Sequence, residues 1–390
     1  MRFRRYYPVW PTKGPPVVRR RFACNVEVTS MASYAVTLIP GDGIGPEVAA
    51  ATQRVLDATG ITFEWEERQI GLAALETHGD VLPEETLASI RKNKVGLKGP
   101  TTTPIGKGFR SVNVGLRQAL GLYANLRPGK TIEGVQAAFR DIDLVVVREN
   151  MEGMYSGIEF DAGQADTAEV IAKMNSLNPK QVPAEAAISI KVITPEATRK
   201  IARFAFEYAR ANKRRKVTIV HKANIMKFTE GLFLQICQEA AAEYPEIESE
   251  DRIVDNMCMQ LMQKPEQYDV LVMENLFGDI VSDLVAGMVG GLGVAPAGNI
   301  GPDSAVFEPI HGSAPSHAGK NEANPVAMIL SGALMLRHLG ELGAAERVEQ
   351  AVYGVIGSGE RVTYDLRADR DPTKAATTSG MTDAIIERMG

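Results

Sequence analysis

"AVTLIPGDGIGPEVAAATQRVLDATGITFEWEE", Ala35 to Glu67, decides how the chain begins to fold. An apolar, β-branched run meets Gly41, Gly43 and Gly45, a helical pattern follows, and then Glu64, Glu66 and Glu67 alternate with aromatics. That order is strand, turn, helix, strand. It approaches a dinucleotide fingerprint, whose spacing is G-x-G-x-x-G. Here the spacing is G-x-G-x-G with Pro46 next, and proline suits a first helical turn. The downstream acids read as the solvated side of a strand. The glycines are therefore read as a tight turn that needs positive φ, ahead of a pyrophosphate cradle.

Further along, "KVGLKG", "DLVVVREN", "KVTIVHK" and "DVLVMEN" alternate with helical patterns, which implies an α/β architecture with a largely parallel sheet. The pattern weakens between Ile158 and Val192, an excursion from the main sheet. "GLGVAPAGNIGPDSAVFEPIHGSAPSHAGKNEANP", Gly291 to Pro325, reads as one long loop, a length that is usually functional. At 390 residues the chain exceeds one ordinary domain, so two packed lobes, or one large sheet with an insertion, are expected.

A net charge of −5 with both signs interspersed gives no footprint for nucleic acid or a membrane surface. Cys24, Cys237 and Cys258 lack any C-x-x-C spacing, which argues against disulfides and thiolate metal sites. They read as inert thiols in a reducing, cytoplasmic compartment. Residues 1–32 are rich in Arg and hold one acid, Glu27. Such a basic, acid-poor segment has the composition of a transit peptide. Pro8, Pro11, Pro15 and Pro16, however, spoil an amphipathic helix there, so it reads as a disordered or mis-assigned extension in preference to a targeting signal, with Met31 a natural start.

Three constellations carry chemistry. In "GKGFRSVNVGLRQALGLYANLRP", Ser111 has the look of an N-cap, with Asn113 and Arg117 on the same helical face. Arg127 ends the next extended run and Arg148 closes "LVVVRE". Guanidiniums grip carboxylates through paired hydrogen bonds, so this set suits a ligand with several carboxylates. In "MENLFGDIVSDLVAGM", Asp279 and Asp283 lie four apart on one helical face among apolar neighbours. Like charges at that spacing repel unless a cation sits between them, and a hard ion such as Mg²⁺ or Mn²⁺ fits oxygen ligands. Asp255 is a third candidate. Finally, Tyr155 in "RENMEGMYSGIE" and Lys222 in "VHKANIMKFTEG" both follow strand-like runs and could serve as acid and base, given burial that lowers the lysine pKa.

"IPGDGIGPEV", "LKGPTTTPIGKGFRSVNVGLRQALGLYANLRP", "HKANIMKFTEG", "NLFGDIVSDLVAGMVGGLG" and "HGSAPSHAGKNEANP" resemble, in order, the isocitrate/isopropylmalate dehydrogenase family. The resemblance runs from about Tyr34 to the C-terminus. It implies an α/β fold that is not Rossmann: a large domain from both chain ends (33–122 and 290–390) and a small dimerisation domain (123–289) with a clasp near 153–194. The polar helix start at Ser111 and Asn113 resembles the isocitrate-acting members. The resemblance further implies that Ser111, Asn113, Arg117, Arg127 and Arg148 bind isocitrate. It implies too that Asp279 and Asp283, with Asp255 of the partner subunit, hold Mg²⁺ or Mn²⁺. Tyr155 and the partner subunit's Lys222 move protons in a homodimer of the tricarboxylic acid cycle. The cofactor is expected along His311, Gly312, Ser313, Ala314, Pro315, Ser316 and His317, with Thr102 as a contact and the adenosine near Asn324 and Tyr364. Ser316-His317 stands where NADP-using members carry Lys-Tyr, and Ala368 replaces a phosphate-binding Arg, so NAD is expected over NADP.

Overall fold

The computed structural model describes residues 33–102 and 111–390. The readings made for residues 1–32 and for residues 103–110 lie outside them. Its strands are β1 (Ser33–Ile39), β2 (Thr62–Glu67), β3 (Val95–Lys98), β4 (Ala124–Lys130), β5 (Asp143–Glu149), β6 (Glu159–Phe160), β7 (Ile188–Ser189), β8 (Lys216–His221), β9 (Glu248–Ile253), β10 (Val270–Met273), β11 (Pro296–Ile300) and β12 (Ala305–Pro309). Ten of them form one sheet in the order β2-β1-β3-β12-β11-β4-β5-β10-β8-β9, and β6 pairs with β7 apart from it.

The sheet is largely parallel, as expected, with six parallel and three antiparallel pairings among the described residues. β2-β1-β3-β12 is one parallel block and β5-β10-β8-β9 another. Between them, β12–β11, β11–β4 and β4–β5 are antiparallel, so the two blocks run in opposite senses. The sequence hid this because β11 and β12 lie inside the stretch read as one loop. Pro296 and Pro309 bound them, and Gly298 sits mid-strand where any Cβ would stand 2.9 Å from the Phe307 ring. β4 also contains Pro128, which is tolerated because β11 pairs only as far as Leu126 and leaves that edge free.

Helices cover both faces. On one face, α1 (Gly45–Asp57), α10 (Val326–His338), α11 (Leu342–Ser358) and α12 (Thr378–Met389) bury a core with Val36, Leu38, Leu97 and Phe307. Beside them, α6 (Pro195–Ala211) and α7 (Thr229–Ala241) cover Leu126, Val145 and Val147. On the other face, α3 (Glu84–Asn93) and α4 (Val112–Leu120), with α2 (Leu72–His78) ahead of them in the chain, cover Ile39 and Val306. α8 (Val254–Gln263) and α9 (Asn275–Met288) cover Leu144, Val146 and Met273. The excursion expected between Ile158 and Val192 is the β6–β7 pair with α5 (Ala165–Leu177) between its strands.

On this second face the apolar covering is interrupted. Register pairs Asn125 with both Asn299 and Arg148, and Ala297 with Glu308. Because side chains alternate along a strand, Lys98, Glu308, Asn299, Asn125, Arg127 and Arg148 all project from this face. They form a buried polar floor between the two apolar cores.

The opening turn is structural, as read. Gly41 and Gly43 have φ of 82° and 62°. A Cβ on Gly43 would stand 2.0 Å from the Ser313 carbonyl, which accepts from the Ile44 amide at 2.9 Å. The Asp42 carboxylate accepts from the amides of Leu72, Ala73 and Thr102. The turn therefore ties three loops together, and its polar groups are consumed in doing so. Pro46 lies in the first turn of α1, where it was expected.

Candidate active site

A cavity of about 270 Å³ lies over the polar floor. It is lined by all five residues expected to bind substrate (Ser111, Asn113, Arg117, Arg127 and Arg148), with Tyr155, Asp279, Asp283, His311 and Gly312. Ser111 occupies the N-cap position of α4, as its place in the sequence predicts, yet its hydroxyl makes no capping bond. Asn113 accepts from the Thr101 hydroxyl at 3.0 Å. Arg127 lies in the middle of β4, not at the end of an extended run, and reaches the cavity from the sheet's face.

Each guanidinium is held by neutral or acidic partners. Arg117 donates to Glu308 Oε1 at 3.1 Å, while Lys98 donates to Oε2 at 2.6 Å and Asn299 to Oε1 at 2.7 Å. Arg127 donates to Asn125 and to the Ser282 hydroxyl, both at 2.7 Å. Arg148 donates to Asn275 Oδ1 from Nε at 3.0 Å and from Nη2 at 2.8 Å. Lys98, Glu308, Asn299, Asn125 and Asn275 were missed from the sequence. Only Asn275 left a signal there, four residues before Asp279 on the same helical face.

Burial, followed by repulsion from Arg148 and Arg117, brings the Arg127 guanidinium down to about 10. Burial and Arg117 lower Arg148 as well. Burial would raise Glu308, but Lys98 and Arg117 outweigh it and hold that carboxyl well below the usual range. Four cations (Lys98, Arg117, Arg127 and Arg148) face three acids (Glu308, Asp279 and Asp283) in the cavity wall. The Arg117 Nε and His311 Nε2 are buried without hydrogen-bond partners. An excess of positive charge and orphaned polar atoms suit a polyanionic ligand.

Asp279 and Asp283 point from α9 into this cavity. They are more open than their apolar neighbours led us to expect: their side chains are 36% and 56% exposed, because the face they share lines the cleft. Asp279 pairs with Arg148 and accepts from the Tyr155 phenol at 2.5 Å. Burial pushes Asp279 up, but Arg148 and Tyr155 prevail and lower it. Burial raises Asp283 despite Arg127 at 3.5 Å. Burial and Asp279 raise the Tyr155 phenol, which keeps its proton at neutral pH.

Lys222 and Asp255 do not reach this cavity within the chain. Lys222 directly follows β8, Asp255 opens α8, and the two pair with each other at 2.5 Å. Among the described residues no three acid, His or Cys groups converge on one metal position. Two carboxylates with all-oxygen donors fit part of the coordination of a hard divalent ion.

Of the expected cofactor residues, His311 and Gly312 line the cavity. Thr102 and Ser313 share a hydrogen bond at 2.5 Å. Ala314 has φ of 38°, turning the loop sharply before Pro315. The rings of His317 and Tyr364 stack at 6.3 Å, and His317 Nδ1 is 2.8 Å from Glu322. Asn324 donates to Asp365 at 2.8 Å and accepts from the Val326 amide at 3.0 Å. Burial lowers the His311 pKa, so its ring is neutral, with Nε2 free for a ligand.

A family model described as isocitrate/isopropylmalate dehydrogenase matches residues 35–385. The chain belongs to that family. It is 45% identical over 362 residues, 93% of this chain and 90% of the other, to catalytic subunit 5 of the mitochondrial NAD isocitrate dehydrogenase of Arabidopsis thaliana. It is 46% identical over 355 residues, 91% of each chain, to a regulatory subunit of the mitochondrial NAD isocitrate dehydrogenase of Dictyostelium discoideum. A crystal structure of isocitrate dehydrogenase from Methylococcus capsulatus superimposes with a TM-score of 0.83 at 51% identity, covering 91% of this chain and 99% of that one. The isocitrate/isopropylmalate dehydrogenase fold, anticipated from the motifs, is thus the fold of this chain. No helix among the described residues is long and apolar enough to cross a membrane.

Proposed function

We propose that this chain oxidises and decarboxylates isocitrate to 2-oxoglutarate and CO₂ within the tricarboxylic acid cycle, using NAD, as a homodimer whose sites are completed across subunits. The observation that carries the reading is the meeting of Arg117, Arg127 and Arg148 with Asp279, Asp283 and Tyr155 in one cavity. Three carboxylates match three guanidiniums, and the polar edge at Ser111 and Asn113 suits a carboxylate better than an isopropyl group.

Asp279 and Asp283, with Asp255 of the partner subunit, would hold Mg²⁺ or Mn²⁺, which supplies Lewis acidity at the substrate's oxygens. NAD, the hydride acceptor, would lie along His311–His317 with its adenosine by Asn324 and Tyr364. The arginines orient the substrate through its carboxylates. Lys222 of the partner subunit takes the hydroxyl proton, and Tyr155 returns a proton to carbon after CO₂ leaves. A protonated phenol beside Asp279 suits that last step.

Ile225, Phe228, Met259, Met262 and Ile280 are exposed around Lys222, Asp255 and α9 in the single chain. An apolar surface there supports burial against a second copy. The two halves of the sheet, β1–β3 with β11–β12 and β4–β5 with β8–β10, support the division into large and small domains at about 123 and 289. NAD over NADP is supported by two engaged groups: His317 is held by Glu322, and Arg367 makes a bidentate pair with Asp369 at 2.9 Å. Neither is left to meet a 2′-phosphate. A cytoplasmic location is kept as part of the proposal beside relatives named as mitochondrial, and cell fractionation decides it.

A second reading, a regulatory subunit of a heteromer, is favoured by the Dictyostelium relative's name. Against it stand Tyr155, Lys222 and all three aspartates in one chain. Initial rates of the purified chain with NAD and NADP test both readings, on isocitrate, isopropylmalate, homoisocitrate and tartrate, with and without chelator. Chelator-sensitive NADH formation on isocitrate is expected. Turnover only on another acid, or none without added subunits, would overturn the reading.

A further inference from the structure

Outside the cavity lies a buried charge cluster that the reaction scheme does not use. Lys191, between β7 and α6, places its ammonium 2.6 Å from Glu230 Oε1 and 3.3 Å from Glu274 Oε1, and 4.6 Å from the centre of the Phe277 ring. Both glutamates are fully buried and the lysine nearly so. One cation thus faces two carboxylates with no solvent to screen them.

Each member also holds a piece of the site. Glu230 Oε2 accepts from the backbone amide of Lys222 at 3.0 Å. Glu274 caps α9, accepting from the amides of Leu276 and Phe277 at 3.1 and 3.0 Å. Val192, next to Lys191, accepts from the Gly153 amide at 2.9 Å, two residues before Tyr155. Gly153 packs so closely on Glu274 that a Cβ would stand 2.8 Å from Oε2. Three segments distant in sequence therefore converge on one ammonium: the turn carrying Tyr155, the start of the helix carrying Asp279 and Asp283, and the backbone of Lys222.

We propose that Lys191 is a positioning residue for the reaction, its charge fixing these three segments through Glu230 and Glu274. Tyr155 and α9 serve the chain's own cavity, whereas the proposed function sends Lys222 into the partner's. On that reading, one buried lysine positions parts of both active sites in the dimer. A purely structural ion pair would instead affect folding alone.

Lys191→Met leaves two buried carboxylates unpaired and is open to failing to fold, so the decisive variant is Lys191→Met with Glu230→Gln, which keeps the Glu274 cap of α9 and its two amide donors. It should fold, with kcat down about ten- to a hundredfold and the isocitrate KM little changed. Amide hydrogen exchange should accelerate at residues 152–156, 222–226 and 275–279 of the variant without any ligand present. A folded variant with wild-type kcat and wild-type exchange would overturn the proposal.

The cross-site part has its own arm. A chain carrying these two changes plus Tyr155→Phe is paired with a wild-type chain, leaving one competent site that borrows the variant's Lys222. Its rate should fall below that of a Tyr155→Phe/wild-type pair, and equality would overturn cross-site positioning. If Lys222 serves its own chain, a Tyr155→Phe/Lys222→Met pair stays inactive. That outcome removes the split-site reading and leaves the exchange result to judge Lys191.

Discussion

Glu308 lies beneath Lys98 and Arg117 with almost no solvent of its own, so the charge balance of the cavity floor depends on it. Glu308→Gln would leave two buried cations uncompensated, a change that costs about 3–5 kcal/mol in comparable sites. Urea unfolding at pH 7 should read that loss. Because the folded carboxyl titrates below its ordinary value of 4.5, its stabilisation is present above that value and disappears as pH falls through the lower folded pKa. The gap between wild type and variant should therefore narrow in acid. Glu149 has the opposite sign. Burial raises it to about 7, although it accepts from the Met151 and Glu152 amides at 2.7 and 2.9 Å. Its contribution is complete below about 4.5 and is lost as pH rises toward 7. Glu149→Gln should flatten the stability profile between about pH 4.5 and 7, and an unchanged slope would contradict the assignment. The arginines of the cavity were legible in the sequence because several cations grouped around one polar helix start imply an anion. Glu308 was not, because one acid in a stretch read as loop carries no such signal.

α9 shows how an element can be shaped for a site at some cost to itself. Glycine inside a helix is unfavourable by about 1 kcal/mol against alanine. Gly278 is nonetheless interior, and a Cβ there would stand 2.4 Å from Cγ of Arg148. The missing side chain is the space through which the Arg148 stem reaches Asn275 and Asp279. Gly278→Ala should thus displace the guanidinium and raise the isocitrate KM about tenfold or more while the protein stays folded. Steady-state kinetics with circular dichroism checks it. A wild-type KM would mean that Arg148 does not grip the substrate. At this scale the sequence was readable where strands were apolar and helices periodic, as in β5, β8, β10 and α1. It was unreadable at β11 and β12, whose proline, glycine and alanine composition imitates a loop although they are central strands. The two missed strands carry Asn299 and Glu308, so those two site residues were missed with their elements, whereas Lys98, Asn125 and Asn275 lie in β3, β4 and α9.

For the whole molecule, opposed parallel blocks meet at antiparallel β11 and β4, and the cavity sits where the blocks' apolar cores part on one face. One chain brings the arginines, Asp279, Asp283 and Tyr155 together but leaves Lys222 and Asp255 paired elsewhere. No reading of a single sequence could have located that division from spacing alone, since it is settled by which groups the fold fails to join. On the proposed function, Lys222 and Asp255 complete the cavity of a second copy. Mixed dimers of a Tyr155→Phe chain with a Lys222→Met chain test it most directly. Each homodimer should be slowed about a hundredfold or more. The purified mixed dimer retains one intact site and should oxidise isocitrate at about half the wild-type rate per dimer. A mixed dimer as inactive as its parents would contradict the claim.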